Sequence, residues 1–164
     1  MRLTSRKIFL AVFIACAGLL GFGLFLQHVK GLEPCPLCVL QRYAFVAVAL
    51  TALLAAIHAP QGFVLKLDAA FLALFAGTGI GLAGRHVWLE HLPKDRVPAC
   101  GPGFDYLIES FPLSKVLPMI FKGSGECAEV KWRLLHLSIS EWALLWFVIF
   151  LLVAAWLMLR RKGA

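Results

Sequence analysis

Charge is what this 164-residue chain has least of: 15% of its residues are Asp, Glu, Lys or Arg, and only nine are acidic. A soluble domain carries about a quarter, so the scarcity excludes an ordinary soluble globule. With 61% hydrophobic residues, the chain reads as an integral membrane protein. Its net charge of +7 does not form a nucleic-acid patch. The Lys and Arg residues cluster at the ends of apolar runs, which is a membrane-topology signal.

Two further absences narrow the chemistry. The glycine run "GTGIGLAG", residues 77–84, has no strand before it and lies inside an apolar segment, which removes a dinucleotide-binding reading and leaves Gly77 and Gly81 as an expected small-residue helix contact. The pair in "GLEPCPLCVLQR", residues 31–42, has no second close Cys/His pair beside it, so a zinc knuckle would lack half its ligands. By spacing alone the motif still fits zinc binding, disulfide exchange or cluster ligation.

Four apolar segments are present, at about 8–26, 43–58, 67–85 and 142–159. The first has 19 residues without a charge, which as a helix spans roughly 28 Å against a hydrocarbon core of about 30 Å. A cleaved signal peptide competes for this segment, but the run continues ten residues past Cys16, longer than a signal's apolar region. The second and third segments are joined by the turn "HAPQG" as a tight hairpin. The expected fold is an all-α four-transmembrane-helix bundle, a single membrane domain over 1–164, with outer loops at about 27–42 and 86–141.

Four spans place both termini on one side. Arg2, Arg6 and Lys7 precede the first span, Lys66 lies in the hairpin turn, and Arg160, Arg161 and Lys162 follow the last. The positive-inside rule puts these in the cytoplasm. Residues 85–141 hold seven basic and seven acidic residues, but that length approaches the limit beyond which loop charge stops dictating topology. Within this loop "FDYLIESFPLSKVLPMIF", residues 104–121, repeats apolar residues at helical spacing on either side of Pro112. It is expected to form a short, bent amphipathic helix on the outer membrane face, the alternative being a loop packed under itself.

Cys35, Cys38, Cys100 and Cys127 then all face the non-cytoplasmic side, which in a bacterium is the oxidising one. Four cysteines allow three pairings. Cys16, inside the first run, is a small hydrophobe. Cys38 falls at the start of the second helix, where the dipole and unpaired N–H groups stabilise negative charge, and Arg42 follows one turn later on the same face. Arg42 either snorkels to the interface or faces an anion or polar ligand. His28 and His58 sit at span ends, and His86 and His91, in "RHVWLEHLP", reach the surface on the side of Cys38, where an imidazole could bond a ligand carbonyl. His136 has no informative context.

Taken together, "PCPLCVLQR" at the start of the second span, "EH" after the third and "SGECAEVKW" near the end of the long loop resemble the disulfide bond formation protein B (DsbB) family of bacterial inner-membrane thiol oxidases, over nearly the whole chain. The resemblance implies a thiol:quinone oxidoreductase in the inner membrane, and the route from DsbA through DsbB to quinone is an established example of such chemistry. It implies that a periplasmic DsbA-like partner attacks a Cys100–Cys127 disulfide, that Cys127 then reduces Cys35–Cys38, and that Cys38 passes electrons to ubiquinone or menaquinone. Arg42 and His91 would hold the quinone, with no metal involved. Two alternatives remain: a specialised relative serving a dedicated DsbA-like partner, and a non-enzymatic membrane protein with structural disulfides.

Overall fold

The computed structural model describes residues 5–97, 104–123, 125–130 and 132–160. Among the described residues, four helices are long and apolar enough to cross a membrane: α1 (Ser5–Lys30), α2 (Pro36–His58), α3 (Gly62–Glu90) and, the last of them, α7 (Ile139–Leu159). Between α3 and α7 lie a 3-10 turn (Lys94–Arg96), α4 (Phe104–Ser110), α5 (Leu113–Lys122), α6 (Gly125–Ala128) and a two-stranded antiparallel hairpin, β1 (Arg133–Leu134) with β2 (Leu137–Ser138).

Each long helix pairs with its neighbour: α1 with α2, α2 with α3, and α3 with α7. Lipid is as apolar as leucine, so close van der Waals packing through small residues must hold such helices together. The interior accordingly combines an alanine face (Ala49, Ala52, Ala55, Ala76, Ala154) with a few large rings, Phe9, Phe147 and Phe150. Phe45 stacks on Phe147 with centroids 4.1 Å apart. Ile14, Leu54, Leu74 and Leu152 point outward and are exposed, as suits side chains that a bilayer covers.

The glycine contact differs from the expected one. Nothing lies within 4 Å of a Cβ built on Gly77 or Gly81, whereas one on Gly79 would collide with the Phe147 ring. Gly79 is the position that lets α3 and α7 approach.

One end of the bundle is closed by the α2–α3 hairpin, where Ala59 adopts a left-handed conformation (φ 46°) and ends α2. Ser5 Oγ donates to the Pro60 carbonyl, and His58 pairs with Asp68 at 2.9 Å. The opposite end carries Cys35, Cys38 and Cys127 together with α4, α5 and α6. There the expected amphipathic segment is present as α4 and α5, broken at Pro112. Val116 and Ile120 of α5 pack down on Leu37 and Leu89, while Leu117 and Met119 remain exposed. Arg85 ties α5 to α3 by donating to the Phe121 and Lys122 carbonyls at 3.2 and 3.1 Å. The α7 start is fixed by a capping box, in which Glu141 N–H donates to Ser138 Oγ and Ser138 N–H to the Glu141 carboxylate.

Candidate functional site

The site begins with the entry into α2. Cys35 is the N-cap, in an extended conformation (φ −68°, ψ 162°), and Pro36 occupies the first helical position, where a missing N–H costs nothing and the fixed φ already suits a helix. Because the proline starts the helix there, Cys38 lies in the first turn rather than ahead of it. Its backbone N–H donates to Cys35 Sγ at 3.4 Å, so a sulfur performs the capping that Ser or Asp commonly does. The two Sγ atoms are 3.2 Å apart. A disulfide needs about 2.05 Å, so a small side-chain rotation closes the pair.

From α3, His86 reaches into the same space and is 5% exposed. Its Nε2 lies 3.7 Å from Cys35 Sγ and its Nδ1 3.9 Å from Cys38 Sγ. Gln41, one turn after Cys38 and also buried, places its amide nitrogen 3.0 Å from Nδ1. The donating Nε2–H then meets the Cys127 carbonyl at 3.1 Å. This fixes the ring between α2 and the α6 turn.

One helical turn further along α3, the Glu90 carboxylate is 3.6 Å from Nε2 and almost fully buried. A buried carboxylate needs its lone pairs filled. Ser138 Oγ donates to it at 2.7 Å, and Ser140 Oγ donates to its other oxygen. The start of α7 is thereby bonded to the side chain that backs His86.

Cys127 enters from α6 and is fully buried. Its Sγ, Cys35 Sγ and a His86 ring nitrogen all lie within 4.8 Å of one another. Leu37, Leu89, Leu107, Val116 and Ile120 pack around the two sulfurs, which keeps water from that side of the site.

On the other side opens a cavity of roughly 130 Å³, bordered by Cys35, Cys38, Gln41, Arg42, His86 and Glu90 and otherwise largely apolar, with Leu19, Leu26, Phe45 and Ile139 in its walls. Arg42 donates to the Gln27 side chain and to the Gly23 carbonyl at 3.1 Å, both on α1. An arginine has five N–H donors, so these two bonds orient the group beside the cavity and leave donors for a ligand.

Of the residues expected from sequence, Cys35, Cys38, Cys127 and Arg42 come together here. Cys100 lies outside the described residues. His91 is not brought to the site: its ring is largely exposed, Nδ1–H donates to the Val87 carbonyl at 2.8 Å, and Nε2 is 3.9 Å from Glu141. The helical period explains this. Five residues turn the chain about 500°, so His91 faces roughly 140° away from His86. The sequence places His86 in the neighbourhood of Cys38 without singling it out over His91, and gives Gln41 and Glu90 no role. The signals were present in the i, i+4 spacing of His86 with Glu90 and in Gln41 lying three residues after Cys38.

Comparison with known proteins finds relatives over nearly the whole chain. The family model described as "Disulfide bond formation protein DsbB" matches residues 5–157. Proteins named disulfide bond formation protein B from Marinobacter nauticus and Hahella chejuensis are 48% and 49% identical over 159 residues, covering 97% of this chain and 95% and 96% of theirs. The one from Acinetobacter baumannii is 46% identical over 161 residues, 98% of this chain and 94% of its own.

Proposed function

Because this chain belongs to the DsbB family, we propose that it forms disulfides for export, reoxidising a DsbA-like periplasmic dithiol and passing the electrons through two cysteine pairs to a membrane quinone. The observation that carries this reading is the convergence of Cys127, Cys35 and Cys38 beside a largely apolar cavity, with α5 packed over one side.

The steps balance as successive thiol–disulfide exchanges. A partner thiolate attacks the Cys100–Cys127 disulfide at Cys100, forming a mixed disulfide there and releasing Cys127 as a thiolate. The second partner thiol resolves the mixed disulfide, leaving the partner oxidised and Cys100 reduced. Cys127 then attacks Cys35, breaking Cys35–Cys38, and Cys38 leaves as the thiolate. When Cys100 displaces Cys127 from Cys35, the outer disulfide re-forms and both inner cysteines are reduced.

A bound quinone supplies the acceptor for two electrons and two protons. The cavity suits an apolar ring, because leucine and phenylalanine line it beside a few polar groups, Gln41, Arg42 and His86 among them. Arg42, which lines the cavity, would hold a ring oxygen. His86 spans the distance between the two inner sulfurs and Glu90, which positions it to take a thiol proton and keep it within the site.

The test is anaerobic mixing of the purified protein with a reduced DsbA-like dithiol protein and either ubiquinone or menaquinone, following quinone absorbance. Stoichiometric quinone loss with partner oxidation is expected. Disulfides that resist the partner and are never restored by quinone would leave a protein with structural disulfides instead.

A further inference from the structure

The three groups that converge on the site from α2, α3 and α6 are also a metal-ligand set. We propose that the fully reduced protein binds one thiophilic divalent cation of the Zn²⁺ class through Cys35 Sγ, Cys127 Sγ and His86 Nε2, with Cys38 Sγ adjacent as the fourth ligand, and that this binding competes with reoxidation.

The distances are close to those of a coordination shell. Zinc bonds sulfur at about 2.3 Å and imidazole nitrogen at about 2.0–2.1 Å, so a tetrahedral site separates S from N by roughly 3.5 Å and S from S by roughly 3.8 Å. Cys35 Sγ is 3.7 Å from His86 Nε2 and 3.2 Å from Cys38 Sγ. The three-ligand set lies within 4.8 Å overall, so Cys127 closes the shell by a movement of about 1 Å.

The surroundings supply what such a site requires. Cys35, His86 and Cys127 are all buried, which gives a closed site of the structural type. Gln41 holds the far nitrogen of the ring at 3.0 Å. Its amide can turn to accept from Nδ1–H, which frees the Nε2 lone pair for the cation, the kind of outer support that metal-bound histidines use. Charge is largely neutralised. Coordination displaces one proton each from Cys35, Cys38 and Cys127, so the cation with three thiolates and a neutral imidazole carries a single net negative charge in place of several separate buried ions.

The set exists only when both inner and outer cysteines are thiols, because a disulfide sulfur is not a thiolate ligand. A cation bound there would hold Cys35 and Cys127 apart from their redox partners. The inference needs only the reduced thiols and does not depend on which acceptor receives the electrons, so its failure leaves the proposed oxidase activity standing.

The test uses the full chain carrying Cys16→Ser and Cys100→Ser, reduced, freed of reductant and titrated anaerobically with Co²⁺, then Zn²⁺. We expect one Co²⁺ per chain with a thiolate-to-cobalt charge-transfer band, its displacement by one Zn²⁺, and no such band once Cys35–Cys38 is oxidised. Gln41→Leu should weaken Zn²⁺ binding about 10- to 100-fold, and His86→Ala and Cys127→Ser should each remove the charge-transfer band or blue-shift and weaken it, with helicity by circular dichroism checking that each variant folds. A folded Cys127→Ser or His86→Ala protein that binds with unchanged spectrum and affinity overturns the proposal. So does equal binding by the oxidised chain, or the absence of any charge-transfer band in the reduced one.

Discussion

Cys38 and Arg42 lie one turn apart on α2, yet they meet different neighbours: the thiol faces Cys35 and His86, while the guanidinium is bonded to α1. Their substitutions should therefore separate. Cys38→Ser removes the leaving thiolate of the inner disulfide, so quinone reduction should be abolished while mixed-disulfide capture of the partner at Cys100 persists. Loss of capture in that variant would contradict the assigned order. Arg42→Met keeps the bulk but removes a charged donor, and a hydrogen bond to a charged group is worth about 1.5–3 kcal/mol. That corresponds to roughly 10- to 100-fold in kcat/KM for quinone, carried mainly by KM, with reduction by the partner unaffected. A quinone titration with unchanged KM would place Arg42 among purely structural anchors.

Helix positions account for both the correct expectations and the missed ones. The four long helices were legible because uninterrupted apolar runs report length directly, and α5 was legible because its period survives Pro112. The second apolar span begins at Tyr43, but the helix that carries it starts seven residues earlier, at Pro36, with a proline-led first turn capped by Cys35. The β1–β2 hairpin gave no signal, as its two-residue strands turn through Leu135 and His136, both at positive φ. Gly79 was hidden among equivalent glycines, because a sequence cannot say which one meets a ring. It supports a paired prediction: Gly79→Ala forces the Phe147 ring to move and should cost about 1–3 kcal/mol, whereas Gly77→Ala should be neutral or gain up to about 1 kcal/mol from helix propensity. Thermal unfolding in detergent, with Gly77→Ala melting above Gly79→Ala, checks the ranking, and the reverse order would contradict the packing. Ser138→Ala loses a cap worth about 1 kcal/mol and also a donor to the buried Glu90, so its melting point should fall further than for an exposed cap.

At the scale of the whole molecule, what the sequence could not reveal was the meeting of segments far apart in the chain. His86 is 51 residues from Cys35 and 41 from Cys127, yet it touches both regions. The absence of a second nearby pair counted against a metal, and the folded bundle supplies the missing ligands from α3 and α6. The side of the membrane this assembly faces is carried by charge alone. Arg6 and Lys7 in α1 and Lys66 in α3 belong to the bundle end closed by the α2–α3 hairpin, opposite the cysteines, and basic residues of short segments are retained in the cytoplasm. The cysteine end should then face the oxidising compartment, as an exchange with an exported dithiol requires. Two exposed positions report this directly: Gln61 in the hairpin turn and Leu135, which is 75% exposed in the β1–β2 turn. In intact spheroplasts a membrane-impermeant maleimide should label Leu135→Cys and not Gln61→Cys, measured against the unsubstituted chain, and detergent should expose both. Labelling of Gln61→Cys alone would invert the topology and put both cysteine pairs in a reducing compartment, where the proposed disulfide relay could not be sustained.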